Sequence, residues 1–149
     1  MADEHRADIP TWECLDLINA SSVGRLCFLD GDTPIAYPVS FKLHRRDAMT
    51  YIVMRTSTRS LMAKYSGPAS FEVDEIDVVG RRAWSVLIRG VVRHSHEPGD
   101  LPQPDPWIAD GRHLWLLLEV GSVSGRRFVA RSNNHGYSVE WDLAGGPRS

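Results

Sequence analysis

The hydrophobic positions change period several times along the chain, and each change marks an element. Trp12, Leu15, Leu17 and Ile18 recur at helical spacing between Pro10 and Asn19, with Thr11 placed to cap and Glu13 in the first turn, so a helix over residues 11–19 is expected, stopped at Ser21 and Ser22. Val23–Leu29 and Pro34–His44 read as strands joined by the turn signal Asp30-Gly31-Asp32. Pro38 cannot donate to a ladder, which points to an edge or a bulge there. Arg45-Arg46-Asp47 makes the next turn, and Met49–Arg55, rich in Tyr, Ile and Val, reads as a third strand.

Beyond Thr56 the spacing of Leu61, Met62 and Tyr65 is again helical, closing at Gly67-Pro68. Ala69–Ile76 then alternates strictly, with Ala69, Phe71 and Val73 on one face and Ser70, Glu72 and Asp74 on the other, the mark of a half-buried strand. Ala83–His94 is a long strand. Residues 95–106 hold four prolines and read as loop, Trp107–Arg112 as a short helix, and His113–Val129 as a strand region bent at Gly121 or Gly125. A helix, three meandering strands, a helix and three more strands favour a closed or nearly closed antiparallel barrel, because closure removes exposed edges. The organisation read from this pattern is a flexible arm over residues 1–10, a domain over 11–130 and a C-terminal tail over 131–149.

Composition narrows the function classes. The chain has 149 residues, 42% hydrophobic and 24% charged, and can bury one core. Net charge is −2 with no long block of one sign, which leaves no footprint for nucleic acid. No apolar run reaches membrane length. Cys14 and Cys27 sit in apolar runs and read as reduced core residues, and MADEHRADIP has no apolar signal region, so a soluble cytoplasmic protein is expected. The cations are 15 Arg against Lys42 and Lys64; arginine suits planar contacts with phosphate, and genome composition explains the same bias.

The chemistry concentrates in Arg55-Thr56-Ser57-Thr58-Arg59-Ser60. This strand-to-helix junction offers four hydroxyls, two guanidinium groups and the free N–H groups of a helix start, which together suit an anion; the alternative is that Ser57 or Thr58 only caps the helix. It lacks the Gly-Lys-Ser/Thr of a P-loop. His94 and His96 form an H-x-H pair with no third ligand in view, so no metal site is expected. Trp84, Trp107 and Trp115 suit core or interface positions, and no Ser–His–Asp or Cys–His arrangement supports covalent hydrolysis.

The ordered set Pro38-Val39-Ser40-Phe41, Arg55-Thr56, Ser60, Phe71-Glu72-Val73-Asp74, Gly80-Arg81-Arg82-Ala83-Trp84-Ser85-Val86-Leu87-Ile88-Arg89-Gly90 and Ser124-Gly125-Arg126-Arg127-Phe128 resembles the pyridoxamine 5′-phosphate oxidase-like family of FMN-binding split barrels, over roughly residues 12–129. The resemblance implies a six-stranded antiparallel split β-barrel with flanking helices, working as a homodimer with the flavin at the interface. Carried over by position, Arg55, Thr56, Ser57 and Ser60 would hold phosphate or ribityl oxygens. Val39, Ser40 and Val53 would face the ring, and the partner would bring residues near Trp84. Many relatives place a lysine where this chain has Leu61; Arg59 or Lys64 would have to supply that charge, and a deazaflavin in place of FMN becomes an alternative. The implied activity is hydride transfer to or from a small-molecule substrate, with a non-catalytic flavin- or ligand-binding protein of the same fold as the other reading. Members that oxidise pyridoxamine 5′-phosphate itself are longer and use basic C-terminal residues on the substrate phosphate, so that activity is ranked last.

Overall fold

The structure is a computed structural model that describes residues 6–105 and 114–129. Its elements run β1 (Arg6–Ile9), α1 (Thr11–Asn19), β2 (Val23–Asp30), β3 (Thr33–Arg46), β4 (Met49–Thr56), a 3-10 turn (Leu61–Lys64), β5 (Gly67–Asp77), β6 (Arg82–Ser95) and β7 (Leu114–Val129). Every strand pairing is antiparallel. The sheet order β1-β7-β4-β3-β2-β5-β6 closes through an added β6–β7 pairing, so β2 to β7 form a ring of six strands. The expected antiparallel barrel is therefore present.

β7 makes this closure possible by its length. Its 16 residues pair with β6 along one edge. The other edge serves two partners in turn, β4 over Leu114–Glu119 and β1 over Gly125–Phe128. The β6–β7 register shifts between Arg89, opposite Ser122, and Gly90, opposite Val120, which leaves Gly121 as the extra residue on β7. A Cβ on Gly90 would lie 2.0 Å from the Glu119 carbonyl oxygen, so only glycine allows this close approach.

Alternation on each strand fills the barrel. Leu26, Phe28, Phe41, Ile52, Met54, Phe71, Val73, Val86, Ile88, Leu116 and Leu118 point inward and form one apolar core. Helix α1 adds Cys14 and Ile18 to that core and lies on β7; Gly125 is the contact point, since a Cβ there would come within 2.6 Å of the Cys14 sulfur. The Arg127 guanidinium donates to the Glu13 carboxylate and ties the helix to the sheet from its polar side.

Three segments differ from the sequence expectation. Part of the presumed arm, Arg6–Ile9, is strand β1, because the free edge of β7 offers it a ladder. Thr11 does not cap α1: the cap is Pro10, with no side-chain bond, and its carbonyl accepts from the N–H groups of Glu13 and Cys14. The second helix is a four-residue 3-10 turn, Leu61–Lys64. Pro38 does stand at an open edge, as expected: β3 pairs there with β2 alone, Arg25 opposite Pro38, and its ladder with β4 begins only at Phe41. The helix expected at 107–112 and the tail over 131–149 lie outside the described residues.

Candidate functional site

The segment from Arg55 to Ser60 leaves the end of β4 and divides into an inward and an outward half. Thr56 points inward and is only 2% exposed. Its hydroxyl lies 2.6 Å from that of Ser60. The Ser60 hydroxyl in turn donates to the Ser57 carbonyl at 3.1 Å and accepts from the Ala63 N–H at 3.2 Å. Both hydroxyls thus take part in closing the junction. A four-residue 3-10 turn, its Ala63 N–H held by the Ser60 carbonyl and hydroxyl, also supplies no helix-terminus site, so the helix start expected at this junction is not formed. Leu61 packs against the core, which leaves this position without an outward cation.

The outward half is different. Arg55 lies over the ring of Trp115, its guanidinium carbon 4.9 Å from the ring centroid. Thr58 and Arg59 are exposed and Ser57 is half-buried, so all three border the same end of β4. Lys64 is exposed at the end of the 3-10 turn. Arg55 and Trp115 are cross-strand partners separated by sixty positions of sequence, so nothing short-range in the chain announces the pair.

Cross-strand register extends this outer face into rows. Arg55, Trp115 and Ser95 form the first; Lys42, Val53, Leu117 and Arg93 the second; His44, Tyr51, Glu119 and Val91 the third. Val53 is fully closed off from solvent yet stands outside the core, between the inward Ile52 and Met54. Trp115 is 5% exposed on the same side. The face combines an apolar centre, a stacked arginine at one end and polar groups on its margins.

The remaining expected site residues separate. Val39 is a core residue, 4% exposed, and cannot face a ring on the outer wall; its neighbour Ser40 points the other way and is half-buried on the outer side. Trp84 packs against the core and pairs with Arg127 near α1. Eleven residues of β6 separate it from Ser95, about 36 Å at the strand rise, so one chain does not bring Trp84 to Arg55.

The rest of the molecule offers less chemistry. A groove of about 360 Å³, lined by Cys27, Phe28, Ile35, Pro68, Ser70 and Arg89, lies on the β2–β5 seam, across the ring from the β4–β7 seam. Burial pushes the Cys14 and Cys27 thiols up, Glu13 and Glu72 adding to the respective rises, so neither is poised as a thiolate. Arg25 bridges Glu72 and Asp74 at 2.9 and 3.1 Å. Burial raises the Glu72 carboxyl above the ordinary carboxylate range; Asp74 beside it adds to the rise and Arg25 opposes it. His94 Nε2 lies 3.1 Å from the Met62 carbonyl. Among the described residues no group of three His, Cys, Asp or Glu could hold a metal ion, and no helix is long and apolar enough to cross a membrane.

Known proteins carry the same architecture. A family model described as pyridoxamine 5′-phosphate oxidase matches residues 10–127. A conserved Corynebacterium diphtheriae protein of unknown function is 25% identical with a TM-score of 0.72, the match covering 85% of this chain and 100% of that one. An FAD-binding protein from Mycobacterium smegmatis is 24% identical with a TM-score of 0.63, covering 83% and 98%. An FAD-binding protein from Mesorhizobium loti is 22% identical with a TM-score of 0.60, covering 82% and 97%. No curated protein matches the sequence.

Proposed function

The chain belongs to the pyridoxamine 5′-phosphate oxidase family, and from that membership we propose that it is a flavin-dependent oxidoreductase which holds FMN against the outer face of β3, β4 and β7. The observation that carries this reading is the outer face itself. It sets an apolar strip, with the half-buried Leu117 beside Val53 and Trp115, next to a guanidinium stacked at its end.

A flavin nucleotide needs both parts: a flat apolar bed for the ring and charge-assisted donors for the phosphate. Stacking on Trp115 fixes the Arg55 fork, so less freedom is lost when it grips an anion. Ser57, Thr58 and Arg59 add donors at the same end, and Ser40 borders the bed. When bound, the flavin supplies the hydride chemistry, and the protein supplies position and exclusion of water. The separation of Trp84 from Arg55 supports a homodimer, in which a second copy brings its Trp84 region to the site. The unpaired thiols of Cys14 and Cys27 fit a cytoplasmic location. The substrate is a small molecule that exchanges hydride with the ring.

A deazaflavin is the second reading, favoured by Leu61, whose inward packing leaves the junction short of one cation. A ligand-binding protein without turnover is compatible with the same face. The visible spectrum of the purified protein, followed during addition of NAD(P)H and then of reduced deazaflavin, separates the three. Flavin absorbance that bleaches with NAD(P)H is expected. A colourless protein that takes up no added FMN would contradict the proposal.

A further inference from the structure

The third row of the outer face holds a histidine that the sequence did not single out. His44 pairs with Tyr51 across β3 and β4, next along the strand from the Lys42–Val53 row. Its Nε2 atom is closed off from solvent and has no hydrogen-bond partner. Buried polar atoms nearly always find a partner, so a nitrogen left in this state marks a place where one arrives from outside the chain. The position says which. His44 stands on the same face as Val53, Arg55 and Trp115, one row beyond the apolar strip and four residues of β4, about 13 Å, from Arg55.

Resting on the flavin reading above, we propose that His44 is a positioning residue whose Nε2 hydrogen bonds to the polar pyrimidine edge of the flavin ring. A ligand anchored by phosphate at Arg55 and laid over Val53 presents its far end at the His44 row. A flavin ring carries at that end two carbonyl acceptors flanking an N–H donor. A neutral imidazole offers Nε2 as donor in one tautomer and as acceptor in the other, and this edge satisfies either. The contact would fix the ring's direction on the face, so that its two ends are not interchangeable. Hydride chemistry does not pass through His44; its effect is on affinity and orientation.

The test uses fluorescence titration of the full chain, stripped of cofactor, with FMN and with 5-deaza-FMN. The two share the pyrimidine edge and differ at the central ring. Wild type, His44→Phe and His44→Gln are compared, and the melting temperature of each is recorded without ligand. His44→Phe should weaken both ligands by the same factor, on the order of tenfold, the worth of one net hydrogen bond. His44→Gln, which keeps a polar atom near the same place, should recover most of that loss. Without ligand, His44→Phe should melt no lower than wild type, because it removes an unpartnered polar atom. A purely structural histidine would lower the melting temperature instead, and that result overturns the inference. Equal affinity of wild type and His44→Phe also overturns it and leaves the flavin reading intact. A loss confined to FMN would move the contact to the central ring and refute the pyrimidine edge. Wild type that binds neither ligand removes the flavin reading itself.

Discussion

Thr56 and Ser60 show how a side chain suited to an anion can be spent on the fold. Buried against each other at 2.6 Å, with Ser60 also joined to Ser57 and Ala63, they hold β4 to the 3-10 turn. Ser60→Ala would leave the buried Thr56 hydroxyl without its partner, while the Ala63 N–H keeps the Ser60 carbonyl at 3.1 Å. It should cost about 1–3 kcal/mol in urea denaturation with little change in slope. Its flavin affinity should stay near that of wild type, which separates it from Arg55. Arg55→Lys should weaken FMN almost as much as Arg55→Ala, about tenfold or more, because a lysine keeps the charge and loses the fork and the stack on Trp115. The Glu72 carboxyl gives a pH signature. Its folded-state pKa lies above its unfolded value, so its contribution to stability is complete below the ordinary carboxylate pKa and is lost as pH rises through the folded value. Glu72→Gln should therefore gain stability relative to wild type as pH climbs through and just above the carboxylate range, read from urea midpoints at several pH values.

At the scale of elements, the contact of α1 with β7 depends on Gly125. Gly125→Ala would drive a methyl group to 2.6 Å from the Cys14 sulfur and 3.2 Å from Ile9, forcing helix and strand apart. A loss of about 1–3 kcal/mol is expected, the usual cost of overpacking, measured by thermal or urea unfolding. The strands were legible in the sequence because each announces itself locally. Ala69–Asp74 alternates without a break, and Asp30-Gly31-Asp32 lies between two apolar runs. The misread segments are those decided by distant partners. Arg6–Ile9 is polar and becomes a strand only because the long β7 has an edge to spare. The Leu61–Tyr65 spacing fits a helix, but the segment between β4 and β5 closes as a single 3-10 turn. The site divides in the same way. Arg55 stood out as a cation at a junction, whereas Trp115 as its platform and His44 on the same face follow from strand register and have no local signal.

For the whole molecule, the ring closes β2 to β7 but leaves apolar side chains outside it. Trp12, Ile76, Val78, Val79 and Val129 are exposed, Val79 at 95%. Cover by a second copy is the expected remedy, and sedimentation at micromolar concentration should give about twice the 16.7 kDa of one chain. The flavin reading turns on one contact, a flavin phosphate gripped where Arg55 rests on Trp115. Titration of FMN fluorescence against wild type and Arg55→Ala, in parallel and at matched stability, tests it most directly. Wild type should bind saturably, and Arg55→Ala should raise the dissociation constant about tenfold to a hundredfold, the range for hydrogen bonds to a charged group. Saturable binding with the same dissociation constant in both proteins would place the phosphate away from Arg55.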